Sequence, residues 1–562
     1  MSVRTIYNAA KDYWLPDIDP LSLIFDYPLS LSTDDTVLHI EAGNTANCVT
    51  KAQCRTYTKR IAHALREGYG IGANCPGKDV VACISSGQVL LPSVFYGVIA
   101  AGGVYSAASS SLTVAELARQ LEHGGCQLLI TSEDCKSIAL QAAEKCAMSP
   151  SRVLVLESRG GKRHLAACSQ ETVNLLEQYP GQLQWEKISD PAVLKSRTGC
   201  LIYSSGTTGE PKGVRISHQN LVSSAMVNLF TYRDYISRQK TRSADFHPEY
   251  RTIAHLPAAH IAGCQGYFIQ PALCGGAVYW MPKFDFQKFL SYCKEYRVTF
   301  FFTVPPIFQL IVQSSLVTDQ FQYLLHAVSG AAPMGPDLVK KSENKLGCAV
   351  TQTWGLSETT GSVTVSPWDA HVADGSVSPL IANIRLRVVD DSENDVSEGE
   401  IGEFVVQGPM VTQGYWKNQK ASRESFTADG AWFKTGDLGY CMDGKIFIVD
   451  RKKEMIKYKG LQVAPAELEA LLLSHSHIRD AAVVGVPDPV MEGNELPRAY
   501  VVADPSEVTE TMIKGFVKAN LASHKQLRGG VVFLEAIPKS PTGKILRRQL
   551  RDAAKASRGL KL

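Results

Sequence analysis

From about residue 79 to 130, apolar runs of strand length alternate with segments of helical periodicity, and that alternation admits few folds. KDVVACI reads as a strand, LLPSVFYGVIAAGG as a helix, VAELARQLEHGG as a second helix and CQLLITS as another strand. Successive βαβ units of this kind build a mostly parallel sheet. The rhythm returns from 252 to 356, where TIAHLP, GGAVYWM, VTFFFTV, LHAVSG and AVTQTW read as strands between helical stretches. Residues 383–450 differ: IRLRVVD, GEFVVQG and KIFIVD are short strands with Gly and Asp turns, which predicts an antiparallel barrel or small sheet. The charged run DRKKEMIKYKG (450–460) then breaks the pattern, and beyond it APAELEALLLSH reads as a helix and AAVVGVP and RAYVVA as strands. The predicted class is α/β: a large N-terminal domain (1–450) of α/β subdomains plus a small β-barrel, then a small α+β C-terminal domain (451–562).

Composition narrows the function. The 562 residues are 45% apolar and 20% charged, an ordinary globular balance. A formal net charge of +3 provides no field for nucleic acid, whereas a small anionic substrate needs only a local cluster of cations. The 14 cysteines include no C-x-x-C, which argues against zinc and dithiol redox sites and for reduced thiols in a cytosolic or organellar protein. MSVRTIYNAAKDYWLPDIDP is too polar for a signal peptide. The most apolar window, 79–104, is broken by Gly87, Pro92, Gly97, Gly102 and Gly103 and fits strand and helix better than a membrane span. The expected location is the cytoplasm. Leu560-Lys561-Leu562 shares Lys-Leu with the peroxisomal S-K-L signal but lacks its small first residue.

The segment most informative about chemistry is LIYSSGTTGEPKGV (201–214). An apolar strand runs into Ser204, Ser205, Gly206, Thr207, Thr208 and Gly209, followed by Pro211, Lys212 and Gly213. Glycines let a backbone approach a polyphosphate and turn N–H groups toward it; hydroxyls and one lysine add donors and charge. The spacing is not that of a Walker A loop, because Lys212 lies between Pro211 and Gly213.

This string resembles the loop of the adenylate-forming superfamily: acyl-CoA synthetases, 4-coumarate–CoA ligases, beetle luciferases and the adenylation domains of nonribosomal peptide synthetases. The resemblance runs from about residue 40 to 550, with further motifs in the family's order. SGAAP (329–333), with Gly330, Ala331 and Ala332, resembles the turn bordering adenine and the acyl pocket. TQTWGLSETTG (351–361) resembles the family's aromatic-Gly-x-Thr-Glu motif. There Trp354 offers a face to adenine, with Thr353 and Gly355 beside it. Ser357 replaces the α-phosphate-binding threonine, and Glu358 aligns with the Mg2+ ligand, with Thr207 as a second metal contact. TGDLG (435–439) and DRKKEMIKYKGLQVAPAELE (450–469) imply that Asp437 and Arg451 hold the ribose and that Lys453 is a hinge. They also place Lys457, Lys459, Gly460 and Gln462 on a hairpin that swings in for thioester formation. By composition alone this run suits an exposed linker. SPTGKILRR (540–548) aligns Lys544 with the lysine that bridges the substrate carboxylate and α-phosphate; two anions brought together need a cation between them.

The resemblance implies a mobile C-terminal lid and an acid–thiol ligase of the 4-coumarate–CoA ligase-like kind, using ATP, Mg2+ and coenzyme A. Lys544, His260 and Lys457 are its candidate catalytic residues. Amino-acid-activating relatives carry a Phe-Asp pair where this chain has Ala259-His260, which argues for a non-amino acid, aryl or of medium acyl size. Ala259, Gly361 and Ser362 are expected at the acyl pocket, Thr353 narrowing it and the Gly361-Ser362 pair opening it. The alternatives are an adenylating enzyme that loads a carrier protein, and a non-catalytic ATP-binding protein. The expected partners are a small carboxylic acid, ATP and CoA, with a carrier protein or pathway enzymes as further candidates.

Overall fold

The computed structural model describes residues 5–204, 211–459, 461–491, 493–540 and 543–559. The all-apolar run Val80–Ile84 forms the middle of a seven-stranded sheet, every residue buried. A strand covered on both faces needs such a run. Its alternation is two-sided: Val81 and Cys83 join the core under helix Leu91–Ala100, and Ala82 and Ile84 the core under helices Val114–Gly124 and Lys136–Lys145. Strand order is Lys212–Ser217, Thr198–Ser204, Val104–Ala108, Val80–Ile84, Cys126–Ser132, Val153–Glu157 and His164–Ala167, the inner pairs parallel.

The second α/β layer holds a four-stranded sheet (Arg251–Ala254, Ala277–Trp280, Val37–Glu41, Asn44–Thr50) and a parallel three-stranded one (Phe300–Thr303, His326–Ser329, Ala349–Gln352). Thr299 N donates to Arg251 O where their edges meet. The 25-residue helix His218–Arg242 starts from a capping box, Ser217 accepting from Asn220 N. Its buried apolar face joins the core that also takes Val94, Phe95 and Trp280.

Strands Tyr7–Asn8, Arg385–Val389, Gly402–Gln407, Phe433–Met442 and Lys445–Arg451 form an antiparallel sheet in that order. Its hydrogen bonding is open, so of the two forms expected for 383–450 the described residues adopt the small sheet. Beyond it comes the hairpin Ile456–Tyr458/Leu461–Val463, and then a sheet of Ile478–Pro487, Glu495–Ala503 and Val531–Phe533. One face of that sheet buries Val483 and Val501 against Leu468, Leu472 and Ile513; the other buries Val484 and Tyr500 against Leu550. This small domain touches the large one at helix Pro305–Gln313, where Gln309 Nε2 donates to Arg479 O at 2.6 Å.

Candidate active site

A cavity of about 1230 Å³ opens where these sheets and the small domain converge. Ser204 ends a strand and Lys212 begins the antiparallel return, the two residues paired. Both line the cavity. Ser205, Gly206, Thr207, Thr208 and Gly209 lie outside the described residues. Lys212 Nζ stands 5.1 Å over the Tyr415 ring, and Tyr415 Oη donates to Glu358 Oε1 at 2.9 Å. Burial first, then the Glu358 charge, holds the Tyr415 phenol well above its ordinary value, so it stays a donor. Glu358 sits on the 3-10 turn Ser357–Thr359, pinned by Thr412 N donating to its carbonyl; Ser357 and Gly355 line the same wall.

Asp437 and Arg451 are opposite each other on adjacent strands, Arg451 Nε 2.6 Å from Asp437 Oδ1. Burial raises the Asp437 carboxyl, and Arg451 and the Trp354 indole pull it back. Trp354 departs from expectation. Instead of a face open to the cavity, its ring is buried 5.2 Å from Phe404, and its Nε1 donates to Asp437 Oδ2 at 2.8 Å. It holds the carboxylate from below, because an indole N–H in a core needs an acceptor.

Lys544 reaches the cavity from the small domain. Its turn is set by Gly543 at φ 77°, with Gly543 N donating to Ser540 O and Ser540 N to Lys544 O. A methyl on Gly543 would sit 3.2 Å from Val304 Cγ2, so the turn lies directly on the large domain. Burial and then the Arg451 charge lower the Lys544 ammonium, while Asp437 and Glu454 oppose that. Lys453 also lines the cavity; burial, then the charges of Arg451, Lys544 and Lys212, push it down to about 8. It is open to solvent inside the cavity yet crowded by protein and by like charge. His260 is pushed down to about 4 by burial and the Lys544 charge. Ala262 N donates to its Nδ1 at 3.3 Å, which leaves the proton of the neutral ring on Nε2.

Ala259, Gly330, Ala331, Thr353, Gly361 and Ser362 all line the cavity. Ala331 at φ 68° and Gly361 at φ 113° are left-handed, the latter a conformation that favours glycine. Thr353 Oγ1 donates to Thr364 O at 2.6 Å and lies 2.9 Å from Ser362 Oγ, and its Cγ2 would touch a methyl on Gly330 at 3.2 Å. Ala332, expected with Gly330 and Ala331, is not part of the lining.

The structure does not bring Lys457 to the cavity with Lys544 and His260. Lys457, Lys459 and Gln462 lie on the exposed hairpin, around a separate hollow of about 430 Å³ with Met491 and Asn494; Gly460 lies outside the described residues. The hairpin backbone is held from elsewhere in the small domain, Lys457 N donating to Glu495 Oε2 at 3.0 Å. Residues not foreseen from the sequence are Tyr415, in GYW between the strands Gly402–Gln407 and Phe433–Met442, and Trp368, seven residues beyond Gly361. Neither carries a local pattern that marks it out.

Two family models match the chain: AMP-binding enzyme over residues 32–416, and AMP-binding enzyme C-terminal domain over residues 467–544. A putative acyl-coenzyme A synthetase of Emericella nidulans is 52% identical over 98% of this chain and 99% of its own length. A 4-coumarate–CoA ligase-like protein of Oryza sativa is 34% identical over 92% of this chain and 90% of its own. Among solved structures, ATP-bound MatB from Rhodopseudomonas palustris superposes with a TM-score of 0.81 at 25% identity, covering 96% of this chain and 99% of that one.

Proposed function

The chain belongs to the AMP-binding enzyme family and is an ATP-dependent acid–CoA ligase, and from that premise we propose how its residues divide the reaction. The observation that carries the proposal is the convergence of Lys212, Arg451, Lys453 and Lys544 on one cavity, where burial and mutual repulsion depress the two lysines nearest the domain junction. Such a cluster is relieved by a polyanion, and ATP supplies one.

In the first half-reaction the acid's carboxylate attacks the α-phosphorus of ATP, the bond to the bridging oxygen breaks, and pyrophosphate leaves. Lys544 stands between carboxylate and phosphate and stabilises the crowded charge of the transition state more than the separated reactants. Ser204, Lys212 and the 205–209 loop hold the phosphates. Ser357 takes the α-phosphate, Asp437 and Arg451 the ribose, and Gly330, Ala331, Thr353 and Gly355 border the nucleotide. Glu358, with Thr207, would hold Mg2+, which supplies charge neutralisation at the phosphates when bound. The donor set suits it, being one hard carboxylate beside phosphate oxygens. Among the described residues no group of three or more His, Cys, Asp or Glu forms a rival metal site.

The neutral His260, with its proton on Nε2, donates toward the acid. It lacks the negative charge that a substrate ammonium needs, so the substrate is a non-amino acid, aryl or of medium acyl size. For the second half-reaction the small domain turns about Lys453, withdraws Lys544 and brings Lys457, Lys459, Gly460 and Gln462 to the site. The CoA thiolate then attacks the acyl carbonyl, the carbonyl carbon–oxygen bond of the mixed anhydride breaks, and AMP leaves with the bridging oxygen that came from the acid's carboxylate.

We take CoA, rather than a carrier protein's thiol, as the acceptor and the cytoplasm as the location. Unpaired cysteines suit a reducing compartment, and among the described residues no helix is long and apolar enough to cross a membrane. The experiment is product stoichiometry over a panel of carboxylic acids with ATP and CoA. Equal amounts of AMP, pyrophosphate and acyl-CoA are expected, with free amino acids inert. ADP and phosphate, or AMP without thioester, would contradict the reading.

A further inference from the structure

The acyl end of the cavity has a measurable depth. Phe300, Phe302 and Val304 alternate inward along one strand and its continuation, and His326, Val328 and Gly330 along the next. The parallel register sets Phe300 beside His326 and Phe302 beside Val328. Val304 and Gly330 mark the level of the Lys544 turn, since Gly543 packs on Val304. His326 marks the far end, four residues down, about 13 Å at the rise of a parallel strand. With carbon–carbon bonds of about 1.5 Å in a zigzag, that depth takes an unbranched acid of about ten carbons.

Trp368 closes this end. Its ring stacks on Phe300 at 4.7 Å and 15° and lies 5.1 Å from His326 and 4.7 Å from Tyr232. The next residue, Asp369, is held from the outside by Arg238 at 2.8 Å and Gln239 at 3.0 Å, so the indole is anchored across the floor.

The walls just above the floor are polar and unsatisfied. Gln265 is 6% exposed and neither its Oε1 nor its Nε2 has a hydrogen-bond partner within the protein; nor do Gln270 Oε1 (8%), Tyr250 Oη (2%) and His326 Nδ1 (0%). All four residues line the cavity. The two glutamines share a face because Cys264–Ile269 is a π-helical turn, with Gln270 N donating to Gln265 O. In an α-helix residues five apart point about 140° away from each other. Each unpaired buried group costs free energy until a partner arrives. No Lys, Arg, Asp or Glu lines this end among the described residues.

We propose that this chamber selects an elongated acid of about ten carbons whose far end abuts Trp368 and carries an uncharged hydrogen-bonding oxygen, a hydroxyl or carbonyl, that meets Gln265 and its unpaired neighbours. The proposal rests on the acid–CoA ligase reading and names its substrate class.

The test is a series of straight-chain acids from six to sixteen carbons, each with and without a terminal hydroxyl, plus the α,ω-diacids. Binding is followed by calorimetry on the full chain, and turnover by AMP release. The expected optimum lies near ten carbons, and the hydroxylated acid should exceed the plain one by about 10²-fold in kcat/KM, because a site built around a hydrogen bond rejects the analogue that lacks it. The diacid should be poor, since a second carboxylate would be buried without a cation. Trp368→Ala or, if that variant is unstable, Trp368→Leu should move the optimum to longer chains, and Gln265→Leu should erase the hydroxyl preference. A flat length profile, or an optimum unmoved by both Trp368 variants, overturns the floor. Equal binding of plain and hydroxylated acids, or no binding of any acid in the series, overturns the polar tail. Discrimination in binding without any thioester product would instead sink the ligase reading and leave this proposal standing.

Discussion

Lys544 and Lys457 belong to the same small domain and meet opposite surroundings. Lys544 lies in the cavity, lowered by burial and by Arg451, on a turn packed against Val304. Lys457 stands in solvent on a hairpin, over a hollow that shares no lining residue with the cavity. One rigid domain in one orientation cannot serve both positions. On the proposed division, the two chemical steps, each with its own lysine, are separated in space by the fold and joined in time by movement of the small domain about the segment that precedes it, which contains Lys453.

The largest effect expected from breaking this division is that of Lys544→Ala, which should slow adenylate formation by about 10²- to 10³-fold, the range for removing one positioned charge donor. Supplied with acyl-adenylate and CoA, the variant should still make thioester. Lys457→Ala should do the reverse, slowing transfer to CoA by about 10²-fold while ATP–pyrophosphate exchange continues. Equal losses in both assays for either variant would erase the division.

A subtler contrast concerns size. Thr353 puts a methyl against Gly330 and a hydroxyl against Ser362 and Thr364. Thr353→Gly should improve kcat/KM for acids one group bulkier near the carboxylate by about tenfold, and leave the hairpin's half-reaction alone. An unchanged size profile would show that Thr353 does not gauge the acid.

The smallest effect is expected from pH. Lys453 has its pKa lowered to about 8, so it is charged below that value and neutral above it. As pH rises through 8 the cavity loses one cation of its cluster. One charge at close range in water is worth about 1 kcal/mol, so kcat/KM for ATP should fall roughly fivefold. Transfer from pre-made adenylate should not share that inflection, and Lys453→Met should abolish it. An inflection that persists in Lys453→Met would assign the titration to another group.

Much of the architecture could be read from local periodicity. The strands at 80–84 and 481–487 announce themselves because a buried strand needs an unbroken apolar run. What could not be read is what depends on partners distant in sequence. Val37–Glu41 inserts beside Ala277–Trp280, a pairing that no local pattern encodes. Trp354 was legible as part of a site but not the direction of its ring, because that is decided by Asp437 and Phe404, 83 and 50 residues away by number. The loop lysine Lys212, Glu358 and Lys544 were legible through their motifs. Tyr415, which links the first two, was not, since an isolated tyrosine has no periodicity. Lys457 was legible as part of a hairpin that serves a later step than Lys544, but where that hairpin rests meanwhile was not, because its hollow is closed by Met491 and Asn494, more than 30 residues on.

The account stands most directly on Lys453. A proline there fixes φ and restricts the residue before it, stiffening the segment about which the small domain is proposed to turn. The measurement is both half-reactions of Lys453→Pro on one preparation: acid-dependent pyrophosphate release, and conversion of supplied acyl-adenylate and CoA to thioester. The account predicts that adenylate still forms while transfer to CoA slows by about 10²-fold or more. Full overall turnover, or an equal loss in both steps, would contradict it.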